Sequence, residues 1–402
     1  MHFRKKISMI VIAGFVLVVF VLPNTINFRE RDAFSDAKRI EWAMENYPIS
    51  SVSDSVVIVP GTWYDRGNSH HIFFGEKYRD LWQTPVNVAV FKWDSTKGGL
   101  EPASIGGSEQ TIGLDIKDKD GREWALRSVN KDQAQALPGI LRPTIMRFMF
   151  RDQVAALNPY GALVVPVLAE AIDILHTNPQ IVFVPYDDSK GEYNERMAGR
   201  LALLEEDADG SWEGAEIFGN PEKIEDTEDM LNVVKKEGYP VDTMLYARSR
   251  LFDMLISDWD RHEGQWNWAL VEEDGRKIFK PLPRDRDMAF YRFDEGLFSH
   301  ITLLFNNKFQ SFHPDYKNVK GLTKQSIKMD RLILQSVDLP EMLRVATEIQ
   351  EQITDEVIHK AFSQYPEDVY EKVGREHEQI LKSRLEKLPE AARKFWQIVQ
   401  DK

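Results

Sequence analysis

The chain contains no cysteine among its 402 residues. That excludes disulfides, thiolate nucleophiles, zinc–thiolate sites and a lipidated cysteine, and it leaves the redox compartment open. A basic stripe is missing too, because 51 Lys and Arg face 64 Asp and Glu for a formal charge of −13. Phosphate backbones are held by clustered cations, so the expected partners do not include nucleic acid; a small phosphorylated ligand in a local basic pocket stays open. No G-x-S-x-G elbow, H-E-x-x-H helix or G-x-x-x-x-G-K-[ST] loop occurs. Those absences remove the commonest serine-nucleophile, zinc-protease and P-loop chemistries. Neither an internal repeat nor a low-complexity tract interrupts the chain.

What is present is a globular composition, 43% hydrophobic, long enough for one large domain or two ordinary ones. It is preceded by Arg4, Lys5 and Lys6 and the uncharged run "ISMIVIAGFVLVVFVL" at 7–22. Such a run is an export signal or a membrane anchor. It is shorter than the about twenty residues of a full span, but "PNTINF" extends it and no small-x-small cleavage site follows. Both outcomes place the remainder outside the cytoplasm, in the cell envelope, with membrane attachment through the N-terminal segment if the run is retained.

Four segments are expected. Residues 1–28 are the signal peptide or anchor. Residues 29–97 form an aromatic-rich β extension, with "SVVIVPG" and "VNVAVFKW" as strand signals. In 98–206, "GGLEPASIGGSEQ" reads as a loop and the runs around Lys119-Asp120-Gly121 as a hairpin. There follow a helical stretch broken by Pro159 and Pro166 and the strand runs "PQIVFVP" and "RLALLEEDADG". In 207–402 an amphipathic helix over 240–257 leads into "SDWDRHEGQ", and charged helices run from about 323 onward. The order is β-rich first and helix-rich last, an α+β fold in two lobes.

The chemistry concentrates in "ISDWDRHEGQWNWALVEEDGRKIFKPLPRDRDMAF", 256–290. "WNWALV", "EEDG" and "KIFKPLP" read as strand, tight turn and strand, so Asp260 and Asp285 fall at the two ends of one hairpin. Carboxylates held that close raise one another's pKa unless a cation or an arginine joins them. Mg²⁺ or Mn²⁺ takes such oxygen ligands and leaves positions for phosphate oxygens. The bland alternative is a surface cluster in which Arg261 and Arg284 neutralise the carboxylates. His70 and His71 are a further pair of possible transition-metal ligands, without partners at ligand spacing.

"DRHEGQ" resembles the catalytic loop of lipid kinases and of secreted protein kinases. "PLPRDRDMAF" is similar to the metal-binding segment of CotH-type spore-coat kinases, and "AGRLALLEE" to their hinge strand. The resemblance implies a two-lobed protein-kinase-like fold with a β-rich N-terminal lobe and a helix-rich C-terminal lobe. It further implies Asp260 as catalytic base beside Arg261 and His262, with His262 a hydrogen-bonding strut. Gln265 stands where a metal-binding Asn is usual, and Asp285, with Asp287 as second candidate, holds the metal. Gly106 and Gly107 stand where a glycine-rich loop covers the nucleotide, and Arg127 where the phosphate-binding Lys is expected. Glu170 is the candidate ion-pair partner of Arg127. Gln for Asn and Arg for Lys are departures from the pattern. Longer stretches also resemble a group of bacterial envelope proteins, some carrying a metallophosphoesterase module, but "GDxxD" and "GNHE" blocks do not occur here.

The expectation is therefore a metal-dependent phosphotransferase acting on a hydroxyl of a small molecule or protein, with ATP or another phosphoryl donor. A non-catalytic envelope module that binds a ligand or partner, and a metal-dependent phosphoester hydrolase, are the alternatives.

Overall fold

The structure, a computed structural model, describes residues 12–14, 16–17, 21, 33–106 and 112–401. Gly107 and most of the 7–22 run lie outside the described residues. Among those described, no helix is long and apolar enough to cross a membrane.

Ten strands are described. They are β1 (Ser55–Ile58), β2 (Val86–Val90), β3 (Leu100–Ser104), β4 (Gly113–Asp118), β5 (Glu123–Ser128), β6 (Gln180–Phe183), β7 (Leu201–Glu206), β8 (Lys223–Asp226), β9 (Trp266–Glu273) and β10 (Arg276–Pro283). The first seven make one sheet in the order β1-β2-β6-β7-β5-β4-β3, and the last three a second in the order β10-β9-β8. All ladders are antiparallel except β2 with β6. The chain is α+β, sheet-rich in its N-terminal part and helix-rich in its C-terminal part.

Two expectations change. Residues 98–110 are not loop throughout, since Leu100–Ser104 is strand β3, paired with β4. The segment 29–97 is not mainly β: it carries α1 (Asp36–Asn46), short helices at Asn68–Phe74 and Arg79–Gln83, and only β1 and β2. Nor is it a separate extension, because β2 pairs with β6 and continues the large sheet. The aromatic residues that suggested strands serve helix packing instead; the rings of Tyr64 and Trp82 meet, tilted, at 4.9 Å.

Local chemistry explains the parts that hold the site. The β9–β10 hairpin turns at Asp274 and Gly275, both at positive φ (50° and 75°). That is the backbone a two-residue turn needs to match the strand twist. Helix α2 (Ile145–Asp152) is capped by Thr144, whose side chain accepts from the Met146 N–H. Helix α3 (Gly161–Glu170) tolerates Pro166 at its sixth position. Helix α4 (Thr227–Glu237) leads to α5 (Thr243–Leu255), where Asp242 accepts from the Leu245 N–H. Nine residues of α5 are buried, so it is a core helix and not merely an amphipathic one.

One apolar cluster joins the two sheets, with Leu114, Ile116, Leu126 and Leu204 sharing a core with Ala269, Val271 and Leu282. A larger one surrounds α5 and the C-terminal helices, including α8 (Leu339–Gln352) and α10 (Arg375–Gln400). They are preceded by α6 (Leu297–Phe305) and α7 (Ile327–Leu334), and α9 (Asp355–Phe362) lies between α8 and α10. The site lies where the large sheet meets the exit of the β9–β10 hairpin.

Candidate functional site

Alternation along β5 turns Ala125 and Arg127 to the face opposite Leu126. On β7 the same rule puts Leu203 and Glu205 on that face. Arg127 is paired across the ladder with Leu203, and its Nη1 lies 2.8 Å from Glu205 Oε1, two residues on. Glu170 is not its partner: it is exposed at the last residue of α3. The resemblance points to a helix glutamate, but the pairing of β5 with β7 brings a strand glutamate to Arg127 instead.

Arg127, Leu203 and Glu205 line a small cavity with Ser128, Val129, Lys131, Ala162, Asp285, Arg286 and Asp287. Lys131 is the residue that pattern reasoning missed. It is buried, it lies just past the end of β5, and its Nζ donates to Asp287. Strand alternation gives no signal beyond the strand end, and only its presence in "RSVNKDQ" could have flagged it.

The residues from Asp260 to Gln265 divide by surroundings. Arg261 is wholly buried and donates through Nη1 to the Arg284 carbonyl at 2.7 Å and through Nη2 to the Asp285 carbonyl at 2.6 Å. It also lies 3.2 Å from Asp258. It positions the hairpin exit and is not placed to act on a substrate. His262 is exposed, and its Nδ1 accepts from the Gly264 N–H at 3.1 Å. Gln265 is brought to Asp285: its main-chain carbonyl accepts from the Arg284 N–H at 3.0 Å, and its Nε2 stands 3.5 Å from Asp285 Oδ2. Asp260 is half-buried and accepts from Gln325 Nε2 at 2.9 Å; it does not line the cavity. Gly106 does not line it either. It packs over Asp115, where an added Cβ would come within 2.3 Å of the carboxylate. His70 is no free metal ligand, since its Nε2 lies 2.8 Å from Asp152.

Electrostatics separate the two hairpin-exit carboxylates. Burial alone would raise Asp285, but Lys131, Arg127 and Arg261 outweigh it and hold the group well below the usual carboxylate range. Burial and the charge of Asp285 push Asp287 up to about 7, against the pull of Lys131. Lys131 is raised in turn, because Asp287 and Asp285 outweigh its burial. A pair of carboxylates with pKa values driven apart is a recurrent property of catalytic sites.

Beneath lies a buried charged platform. Asp253 on α5 is 2.6 Å from Arg250 and 3.0 Å from Arg286. Arg250 also meets Asp330 at 2.9 Å. Asp258 is pushed up to about 6 by burial, with Asp253 and Asp260 adding repulsion and Arg261 and Arg286 opposing it. A carboxyl raised in the folded state binds a proton that the unfolded chain has released. Its stabilising contribution is therefore complete below the unfolded value near 4 and lost as pH rises through about 6. Urea melts at pH 5 and pH 7 are expected to show this as a falling slope of at most about 1.4 kcal/mol per pH unit. Asp258→Asn should reduce the slope without abolishing it, because Asp287, raised to about 7, loses its own stabilising contribution over the same range, and an unchanged slope in that variant would locate the titration elsewhere.

Comparison with solved structures returns a distant similarity. The crystal structure of a Helicobacter pylori proinflammatory kinase, CtkA, aligns at 11% identity and a TM-score of 0.34, over 71% of this chain and 94% of that one. No protein-family model and no curated protein matches the chain.

Proposed function

We propose that the chain is a metal-dependent phosphotransferase that works at the junction of the large sheet and the hairpin exit. The observation that carries this reading is the convergence of Arg127, Lys131, Asp285 and Asp287 on one cavity, with Gln265 beside Asp285. Cations from β5 and its extension face carboxylates from the hairpin. That is the donor set for phosphate oxygens on one side and a divalent ion on the other.

The fit to a metal is partial by design. Among the described residues no group of three or more His, Cys, Asp or Glu could hold an ion. Mg²⁺ commonly takes one or two protein carboxylates and fills its shell with phosphate oxygens and water. Asp285 would hold it with the amide oxygen of Gln265, and Asp287 would join once released by Lys131. Burial, and after it the charge of Asp285, raises the pKa of Asp287, and a cation bound beside the two carboxylates would relieve their repulsion. Bound there, Mg²⁺ or Mn²⁺ would neutralise charge on the phosphoryl group in transfer. Lys131 and Arg127 would hold the donor's phosphates, Arg261 would fix the Asp285 backbone, and Asp260 would accept the proton of an acceptor hydroxyl. The donor is ATP or another phosphorylated compound, and the acceptor a small molecule or a protein. The apolar run at 7–22 supports placement in the cell envelope, attached to or released from a membrane.

The cavity holds about 30 Å³, whereas small-molecule sites run to roughly 300–1,000 Å³. Binding therefore requires the cavity to open, with Lys131 leaving Asp287. The same pairing favours a second reading, a non-catalytic ligand-binding module, since Arg127, Lys131, Arg286 and Asp287 already have internal ion-pair partners.

Calorimetric titration of the purified chain with ATP and other nucleotides, with and without Mg²⁺ or Mn²⁺, separates these. Saturable heat only in the presence of the cation is expected, with thermal stabilisation of about 2.7 kcal/mol at a hundredfold excess over Kd. Absence of binding under every cation would sink the transferase mechanism and leave the non-catalytic module. Binding followed by phosphate release without an acceptor would assign the site to hydrolysis.

A further inference from the structure

Helix α6 has the wrong outer face for water. Its sequence LFSHITLLF carries no Asp, Glu, Lys or Arg, and Leu297, Ile301, Leu304 and Phe305 all point outward. These positions follow the i, i+4, i+7, i+8 spacing of one helical stripe, which in a surface helix is normally polar. Leu304 is 83% and Phe305 85% exposed. The opposite side is well packed, with Ser299 buried and Phe298 4.9 Å from Phe74.

The neighbouring helix Asn68–Phe74 extends this surface with exposed Ile72 and Phe73. The two elements abut through glycines: a Cβ on Gly296 would fall 2.3 Å from the Gly75 nitrogen. Both glycines sit at positive φ, so a side chain at either would push the helices apart. Six large apolar side chains on two adjoining helices make a contiguous patch of the kind that marks an interaction site.

Its place relative to the N-terminal run identifies the occupant. Aromatic contacts lead from α6 back to the point where the chain enters the fold. Phe298 meets Phe74 at 4.9 Å, Phe74 meets Phe148 at 5.4 Å, Phe148 meets Trp63 at 5.7 Å, and Trp63 meets Phe34 at 5.3 Å. Phe34 follows the apolar run, and the sequence between Leu22 and Phe34 can span at most about 40 Å. The described side chains Ile12, Val16, Leu17 and Val21 of the run are themselves exposed. A membrane holding that run would lie within reach of this side of the domain.

We propose that the Asn68–Phe74 and α6 face docks on the lipid bilayer, seating Ile72, Phe73, Leu297, Ile301, Leu304 and Phe305 in the interfacial layer. The choice of lipid over protein rests on the reading of 7–22 as a membrane segment. Surface helices that present an apolar face seat that face about 5–10 Å into the boundary of headgroups and acyl chains.

The absence of cysteine makes a direct test available. The full chain is reconstituted in phosphatidylcholine–phosphatidylglycerol vesicles with single nitroxide labels at Leu304→Cys, Phe305→Cys, Val16→Cys and the exposed Lys360→Cys. Collision with oxygen and with a water-soluble nickel chelate then gives depth. Labels at 304 and 305 are expected to lose nickel accessibility and gain oxygen accessibility, while the label at 360 stays aqueous. If 304 and 305 read as aqueous as 360, the docking proposal is overturned. The label at 16 reports the anchor separately, so a buried 16 with an aqueous 304 overturns docking alone. Immobile labels at 304 and 305 without vesicles would instead assign the face to a second copy of the chain and overturn the lipid proposal.

Discussion

Asp285→Asn is expected to remove cation-dependent nucleotide binding and turnover by on the order of 100-fold or more, in a chain that still folds. The substitution isolates charge from backbone. Asp285 adopts φ 50°, a left-handed conformation that Asn and Asp visit with short polar side chains and most other residues avoid. Arg261 grips the main-chain carbonyl of residue 285, which Asn retains. What Asn lacks is the anion that Lys131, Arg127 and Arg261 surround. Asp285→Ala would mix that loss with roughly 1–2 kcal/mol of backbone cost, so the two variants should differ in stability but not in binding. Asp285→Asn also carries an internal check. The charge of Asp285 is one of the causes that raise Asp287 to about 7, so the Asp287 carboxyl should titrate lower in the variant when followed by NMR. Cation-dependent affinity equal to wild type would remove Asp285 from the metal site and with it the proposed mechanism.

The legible part of this site is the part built from one local element. The apolar runs on either side of the Asp274-Gly275 turn are enough to foresee the β9–β10 hairpin, and its register pairs Trp266 with Pro283. That register is what places Gln265 next to Arg284 and Asp285. The partners that sequence reasoning misses are contributed by distant strands or by loop ends. Glu205 reaches Arg127 only because β5 lies beside β7, a pairing that no local pattern encodes. Lys131 lies past the last strand residue, where alternation no longer says which way a side chain points. Arg286, flanked in sequence by Asp285 and Asp287, turns inward to Asp253 on α5, a partner that local charge pattern does not show. In the fold, the order of β-rich and helix-rich parts is legible from where the apolar spacing changes. The helices at Asn68–Phe74 and Arg79–Gln83 are not, because short aromatic runs satisfy strand and helix patterns equally.

Asp253→Ala is expected to be the most damaging single change for stability, costing about 3–5 kcal/mol. Asp253 is wholly buried and serves two guanidiniums, Arg250 at 2.6 Å and Arg286 at 3.0 Å. Removing it strands Arg286, for which burial already lowers the pKa to about 10 against the attraction of Asp253. Arg250 keeps Asp330, so the loss falls mainly on the residue between the two site carboxylates. A domain of this kind has only about 5–15 kcal/mol of stability to lose. The urea midpoint should therefore drop sharply at constant m-value. Asp253→Asn, which keeps an acceptor for one arginine, should cost less. Combining Asp253→Ala with Arg286→Met should recover part of the loss, since replacing a buried pair is cheaper than breaking it. Full additivity of those two changes would mean that Asp253 and Arg286 do not act on one another, and that the platform under Asp285 and Asp287 is held by Arg261 alone.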